Sequence, residues 1–556
     1  MTPQAVQERR RQVLVRLVLV VAAIALVRGA IAAEPAGTGA ARRLHSLAVA
    51  AAAARGAPAA STVCMRSLAA RPIHAKDSHD TLAAIRGFHV TRLEWTYGDD
   101  AAFIRKVHDL GVEYGGAIAA GSYAGKAPPV EWNVVGLDSQ RLVPTWMRQW
   151  QRPNPWGCGN NPEFRAGHVR AALAAVAAGA DVLQRDEPEQ NEIAYSWGGC
   201  LCRHCLAGFR GWLEQHGDPK VLAGLGITDL KAFDYAAHLR KQGAPSGDAF
   251  RAWKGADALR GYFKEFQVDS TVAFHRWWRA ELDRQAGRPV AVSCNNGAQK
   301  WTPIQLVFDA CIGELRAKDA TPSHLHAVME VARSHGRTQS VTMPLEEQGE
   351  QETPAWVRLT RQTIATMYAL GGHIEMPWDT YLPTPDAQRY FGRPENYADL
   401  TAFVRGIAGH LDGHVEVHAT GCGVQDARWQ GPPPVAVAGT NDVFVTVRTR
   451  PGDVDASLVI HLVDWREEPQ PLRLTLDRAA CCGDRPARVR VLTPVLAYDR
   501  VAHDRAFETK NYRPLVRERS LGAIPPEVLD LPAATPWAVV VVEPATAEPP
   551  VETKPQ

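Results

Sequence analysis

The chain has 556 residues, more than one ordinary domain uses, and its 46% apolar and 22% charged content is usual for a globular protein. A formal net charge of +2 carries no basic excess, which argues against a nucleic-acid partner. Sixteen tryptophans offer flat apolar faces that suit sugar rings as well as protein cores.

Residues 1–33 read as a signal peptide. Arg9-Arg10-Arg11 precedes an apolar run from Val13 to Val27, interrupted by Arg16, and small residues lead to Glu34. The run is too short and interrupted for a comfortable membrane span, with an uncleaved anchor as the alternative. The expectation is an exported protein, periplasmic or secreted, without stable membrane association after signal cleavage. Residues 34–70, rich in Ala, Gly and Arg, are expected to form a flexible leader.

From 71 to 411, short apolar runs alternate with helical stretches, the pattern of a parallel sheet with crossover helices. Strands are expected in "RPIHAKDS", "HVTRLEWTYG", "VEYGGAIAAG", "ADVLQRDE", "RPVAVSCNN", "DACIGEL", "RTQSVTMPLEE" and "HIEMPWDTYL". Eight strand–helix units predict an α/β fold, a (β/α)₈ TIM barrel with a helical insertion at 190–286. Beyond 412, "NDVFVTVRTR", "ASLVIHLVDW", "PLRLTLDR", "ARVRVLTP" and "WAVVVVEP" predict a small antiparallel β-sandwich over 412–544. The Pro- and Thr-rich residues 545–556 are expected to be a loose tail.

Such barrels carry their active sites at the C-terminal ends of the strands. Those ends offer His74, Lys76 and Asp77; Glu94 and Trp95; Asp186 and Glu187; Asn295 and Asn296; Glu314; Glu346 and Glu347; and Trp378 and Asp379. There is no Gly-rich phosphate loop and no Ser-His-Asp order. Carboxylates among amides and indoles suit glycosidic chemistry: one acid protonates a leaving oxygen, and a second carboxylate attacks or activates water. Any one of these acids alone is as well explained as a helix cap or a solvated charge. Their shared location in a barrel mouth carries the expectation.

Cys200-x-Cys202-x-x-Cys205, with Cys158 from "PWGCGNNPEF", can supply a tetrahedral Cys₄ zinc site. Disulfides are the alternative in an exported chain. A bridge between Cys200 and Cys202 would be strained, so a structural zinc is preferred, and no organic cofactor is expected.

A cysteine after the third strand, an acid pair ending the fourth, and then C-x-C-x-x-C resembles glycoside hydrolase family 42, the β-galactosidases. "LEEQGEQETPAW" looks like that family's strand-seven nucleophile segment, and "RLTRQTIATMYALGGHIEMPWDTY" like its last helix and eighth strand. The resemblance spans roughly 72–410. It implies a structural zinc on the cysteines, Glu187 as general acid/base and Glu347 as nucleophile, with Glu346 one position away. The chain departs from the family in having Asp186 where Asn is usual, in its large Trp-rich insertion, and in Asp379. The resemblance therefore implies fold and reaction type, and not galactose specificity.

The expected function is hydrolysis of an oligo- or polysaccharide with retention of configuration. Substrate contacts are expected from His74, Glu94, Trp95, Asn295, Trp378 and Asp379. Two alternatives stand beside it: an α-glycosidase-type barrel with Asp186 as nucleophile and Glu314 as acid, or an inactive barrel that binds glycans. The sugar, its anomeric configuration and the oligomeric state stay open.

Overall fold

Eight short parallel strands, each hydrogen-bonded to the next and the last to the first, close into a barrel. They are β1 (Cys64–Arg66), β2 (Arg92–Thr96), β3 (Glu113–Ile118), β4 (Val182–Arg185), β5 (Ala291–Asn295), β6 (Ala310–Glu314), β7 (Thr338–Thr342) and β8 (His373–Met376). The computed structural model describes residues 44–49, 55–67, 80–122, 130–145, 148, 155–255, 257–297, 299–343, 352–376, 378, 380–381, 389–429, 431–482, 486–522 and 527–544.

Successive residues of a strand face opposite sides. Met65, Leu93, Leu183, Val292, Val341 and Ile374 point outward into one continuous apolar core beneath the ring of helices. The helices between strands begin and end on local signals. The helix Pro162–Ala178, for example, starts with the Asn161 side chain accepting the Phe164 N–H and with Pro162 in its first turn. It stops at Gly179, whose φ of 116° is open to a residue without Cβ, and β4 begins at Val182.

The first strand is not where the sequence suggested. "RPIHAKDS", residues 71–78, lies outside the described residues, and β1 is instead the three-residue run Cys64-Met65-Arg66, inside the expected leader. Met65 points outward into the core, and so short a run beside Ala-rich sequence gives little periodicity to detect. Further upstream, Leu44 is buried in the C-terminal core, and a His45 ring nitrogen lies 2.9 Å from the Ala456 carbonyl.

The inward residues form levels. In an eight-stranded barrel of this kind, neighbouring strands are staggered by about one residue. Traced through the observed registers, that stagger brings Glu94 of β2, Gln184 of β4, Ile312 of β6 and Glu375 of β8 to one level. The trace closes, since Glu375 pairs with Cys64, Cys64 with Arg92, and Glu94 lies two residues on. The next level toward the C-terminal mouth holds Arg66, Ala117, Asn295 and Thr342. Above it stand Asp186 and Glu314.

Between β4 and β5 a helical excursion occupies the expected insertion and ends in the helix Ala258–Ala286. It has its own aromatic core, including Tyr195, Phe209, Tyr235, Phe250, Phe263 and Phe266. After the barrel come two antiparallel sheets, one of seven strands and one of three. The seven-stranded sheet turns Val445, Ile460, Val491 and Val540 toward the smaller sheet. Its other face presents Phe444, Val459, Trp537 and Val541 to the core shared with the barrel. Burial on both faces explains why "WAVVVVEP" is a continuous apolar run. No helix among the described residues is long and apolar enough to cross a membrane.

Candidate active site

The mouth is organised around Asp186. Its backbone N–H extends the β3–β4 ladder by donating to the Ile118 carbonyl at 3.0 Å, so the residue keeps the strand's alternation and its side chain faces the axis. The Tyr97 hydroxyl donates to Asp186 Oδ2, and Asn295 Nδ2 donates to Oδ1 at 3.1 Å. Tyr97 is in turn met by Trp95 Nε1 at 3.3 Å, and the Arg66 guanidinium lies 4.2 Å from the Trp95 ring centre. Tyr97, just after β2, and Asn295 of β5 thus fix one carboxylate, each oxygen held by an uncharged donor.

Glu187 takes a different course. Its φ of 55° turns the chain out of the strand, and Trp156 Nε1 donates to Glu187 Oε2 at 2.5 Å. Trp156 stands edge-on to Trp197, giving the acid an aromatic wall. Behind the pair, Arg185 is completely buried and faces the charges of Asp186, Glu187 and Glu189; burial nevertheless lowers its pKa to about 10. Arg185 also donates to Gln190 Oε1 at 2.7 Å, and Gln190 donates to the Gly157 carbonyl. Glu189 accepts from Gln305 at 2.6 Å, and burial, reinforced by Glu192 and Asp186, pushes its carboxyl up to about 7.

Glu314 shares the Asp186 level from β6 and is exposed. Gln299 Nε2 donates to its carbonyl at 2.7 Å. Trp378 is buried, edge-on to Phe391 at 5.2 Å between ring centres. His74, Lys76, Asp77, Glu346, Glu347 and Asp379 lie outside the described residues. Two expected mouth residues sit lower. Glu94 is below the end of β2, inside the barrel, with Oε1 3.4 Å from Arg92. Trp95, 2% exposed, packs with Ala117 and Ile312 in the axis, because a register shift between Leu93 and Thr96 turns it inward. Asn296 donates instead to Gln339 at 2.8 Å and is buried away from the mouth.

The four thiols do meet. The Sγ atoms of Cys158, Cys200, Cys202 and Cys205 lie within 4.8 Å of one another, and all four residues are buried. Cys158 is 3.5 Å from both Cys202 and Cys205. A tetrahedral zinc with Zn–S bonds of about 2.3 Å needs sulfur–sulfur edges of about 3.8 Å, so the set fits. Donors surround the sulfurs: Asn191 Nδ2 lies 3.4 Å from Cys158 and Cys205, Asn160 Nδ2 3.3 Å from Cys205, and the Cys205 N–H 3.5 Å from Cys202. Such N–H groups favour thiolates. Burial pushes Cys200 and Cys205 up, whereas donation from Cys158 and its neighbours pulls Cys202 down. No disulfide forms among the described cysteines. Trp156 stands two residues before Cys158, so the thiol cluster and the indole that meets Glu187 share one loop.

The sequence pointed to Asp186, Glu187, Asn295 and the thiols, but not to Tyr97, Trp156 or Arg66. Tyr97 directly follows β2, and "WTYG" at a strand end was the signal available. Trp156 comes from a long loop with no readable position. Arg66 required the correct first strand.

The chain is similar to α-agarases. It is 23% identical over 239 residues to an α-agarase from Alteromonas agarilytica and 24% identical over 242 residues to one from Thalassotalea agarivorans. These matches cover 41% and 40% of this chain, but only 16% of each relative's length. Among solved structures, a maltogenic α-amylase from Thermotoga neapolitana is 8% identical with a TM-score of 0.43, covering 88% of this chain and 99% of that one. A family 27 β-L-arabinopyranosidase from Geobacillus stearothermophilus is 10% identical with a TM-score of 0.38, covering 80% and 78%. No family model matches the chain, and the resemblance to glycoside hydrolase family 42 gains no support.

Proposed function

We propose that this protein is an exported glycoside hydrolase that cleaves a polysaccharide with retention of configuration. Asp186 is the nucleophile, and Glu314 is the acid that protonates the leaving oxygen. The observation that carries this reading is the grip on Asp186: an axis-facing carboxylate whose two oxygens are oriented by Tyr97 and Asn295. Glu314 shares its level from the next even strand, so the two carboxyls can flank one glycosidic bond. Retaining chemistry needs them about 5–5.5 Å apart across the substrate. Asp186 attacks the anomeric carbon as Glu314 gives its proton to the departing oxygen. Glu314, now a base, then takes a proton from water as that water releases the sugar. The similarity to α-agarases supports an agar-type galactan with an α-linkage as substrate. The N-terminal Arg-rich and apolar segment supports export, which gives the enzyme access to such a polymer.

A second reading makes Glu187 the acid/base and Glu347 the nucleophile. The Trp156 N–H on Glu187 favours it, because that bond and the aromatic wall present Glu187 as a prepared group too. Azide rescue separates the two. In the first reading, Asp186→Ala is inactive and azide restores turnover with inverted product stereochemistry. Rescue of Glu347→Ala, with Asp186→Ala still turning over, would establish the second instead.

The thiol cluster is proposed to hold one zinc. Four thiolates leave no open position, so the ion would act structurally, holding the Trp156 loop against Glu187. Metal analysis should find one zinc per chain, and chelation should lower Tm. Absence of metal, with paired disulfides by mass spectrometry, would overturn this assignment.

A further inference from the structure

The middle level of the barrel axis is unusual. Positions that such barrels fill with Val, Ile and Leu hold Glu94, Gln184 and Glu375, with Ile312 the one apolar member. All four are buried, at 5%, 0%, 1% and 2% exposure. Among the described residues, both carboxyl oxygens of Glu375, Oε2 of Glu94 and both amide atoms of Gln184 have no hydrogen-bond partner. The neighbouring guanidinium groups do not meet this need. Arg92 is spent on Glu113 at 2.5 Å, the Gly56 carbonyl at 3.2 Å and Glu94 Oε1, while Arg66 lies over the Trp95 ring.

Buried polar atoms are almost always paired with protein or ordered water, because each gives up its hydration on folding. With both carboxyls ionised these five atoms would be four acceptors and one donor, a balance that a proton on one carboxyl and a partner able both to donate and to accept would restore. Room exists for a small one. A cavity of about 20 Å³ beneath this level, lined by Arg92, Ser293 and Ser340, reaches it at Glu94 and Ile312 and stops short of Gln184 and Glu375. That is space for about one water. Gly115 adds clearance, since a Cβ there would stand 3.1 Å from Glu94 Oε2. On the mouth side, Trp95, Ala117 and Ile312 close the axis, so the chamber is separated from the substrate face.

We infer that the barrel axis contains a second polar site, an internal water site held by Glu94, Gln184 and Glu375, in which Glu375 is a neutral carboxylic acid. Burial and the nearby Glu94 both push Glu375 well above the usual carboxylate range, against the pull of Arg66 and Arg92. As an acid it donates to one water, which passes hydrogen bonds on to Glu94 Oε2 and Gln184. A cation is disfavoured because the charges of Arg66 and Arg92 already act on Glu375.

Oxygen-17 relaxation dispersion on the full chain tests this by counting long-lived internal waters. Glu375→Leu should lose at least one of them, and an infrared band of a protonated carboxyl should vanish in both Glu375→Leu and Glu375→Gln. A crystal structure of the unaltered protein should show density for water within hydrogen-bond reach of Glu375, which keeps the test valid if a variant fails to fold. Three results would overturn the inference: no density there, a higher Tm for Glu375→Leu as expected of a dry unpaired carboxyl, or a rubidium anomalous peak in the chamber. Activity should survive Glu375→Gln, so failure here is distinct from failure of the catalytic assignment.

Discussion

The barrel axis and the core between the C-terminal sheets are built on the same strand alternation and filled with opposite chemistry. Up the axis the inward positions read Glu94, Gln184 and Glu375, then Arg66 and Asn295, then Asp186 and Glu314. In the strand Leu458–Asp464, the same period turns Leu458, Ile460 and Leu462 toward the second sheet and Val459 and Val463 toward the barrel's core. A sandwich core is stabilised by area removed from water, which asks only for apolar side chains of fitting shape. The barrel can hold polar groups inside because its stability comes from the outward faces and the helices packed on them. Chemistry and cohesion are thus assigned to opposite faces of the same strands.

The sharpest way to test that division is to remove the central carboxylate. Asp186→Ala should lower kcat/KM on an agar-type polysaccharide by about 10⁴-fold or more, with Tm nearly unchanged. A large fall in Tm would mean that Asp186 holds the barrel together instead. In the other region, Ile460→Ala should cost about 2–5 kcal/mol in denaturant unfolding and leave kcat unaltered. A changed kcat would show that the C-terminal core reaches the mouth. Tyr97→Phe removes one charge-assisted donor from Asp186. About 1.5–3 kcal/mol of transition-state stabilisation, or roughly 10- to 100-fold in kcat, should be lost with the fold intact.

The smallest effect is a slope with pH. Burial lowers His89 and His275 to about 3 and His373 to about 4, so each is neutral in the fold. Unfolded, each titrates near 6.5 and takes up a proton below that value. Their contribution is therefore complete above pH 6.5 and is lost as pH falls toward 4 and 3. Glu189, raised to about 7, acts in the opposite sense, its contribution being lost as pH rises from 4.5 through 7. Three imidazoles outweigh one carboxyl, so Tm should fall between pH 6.5 and 4. A flat profile would mean that these imidazoles are hydrated in the fold. His89 and His503 meet at 2.7 Å where the barrel joins the C-terminal region, so His89→Gln should flatten part of the slope.

Periodicity and turn residues determined much of this protein. Seven of the barrel strands, the helical excursion and the change to antiparallel strands after 412 could be read from hydrophobic pattern, which is local. The spacing Cys200-x-Cys202-x-x-Cys205 named a cluster, and "RDE" named the end of β4. What the pattern could not supply was level. Glu94 and Asp186 both precede loops, yet one lies inside the barrel and the other at its mouth, because β2 runs on to Thr96 with a register shift and β4 ends at Arg185. The strand Cys64–Arg66 is too short to show a period, and its place is set by pairing with β2 and β8. Tyr97 and Trp156 became site residues only through contacts 89 and 31 residues away in the chain. Such contacts depend on barrel closure and stagger, which join distant segments and leave no mark in any one of them.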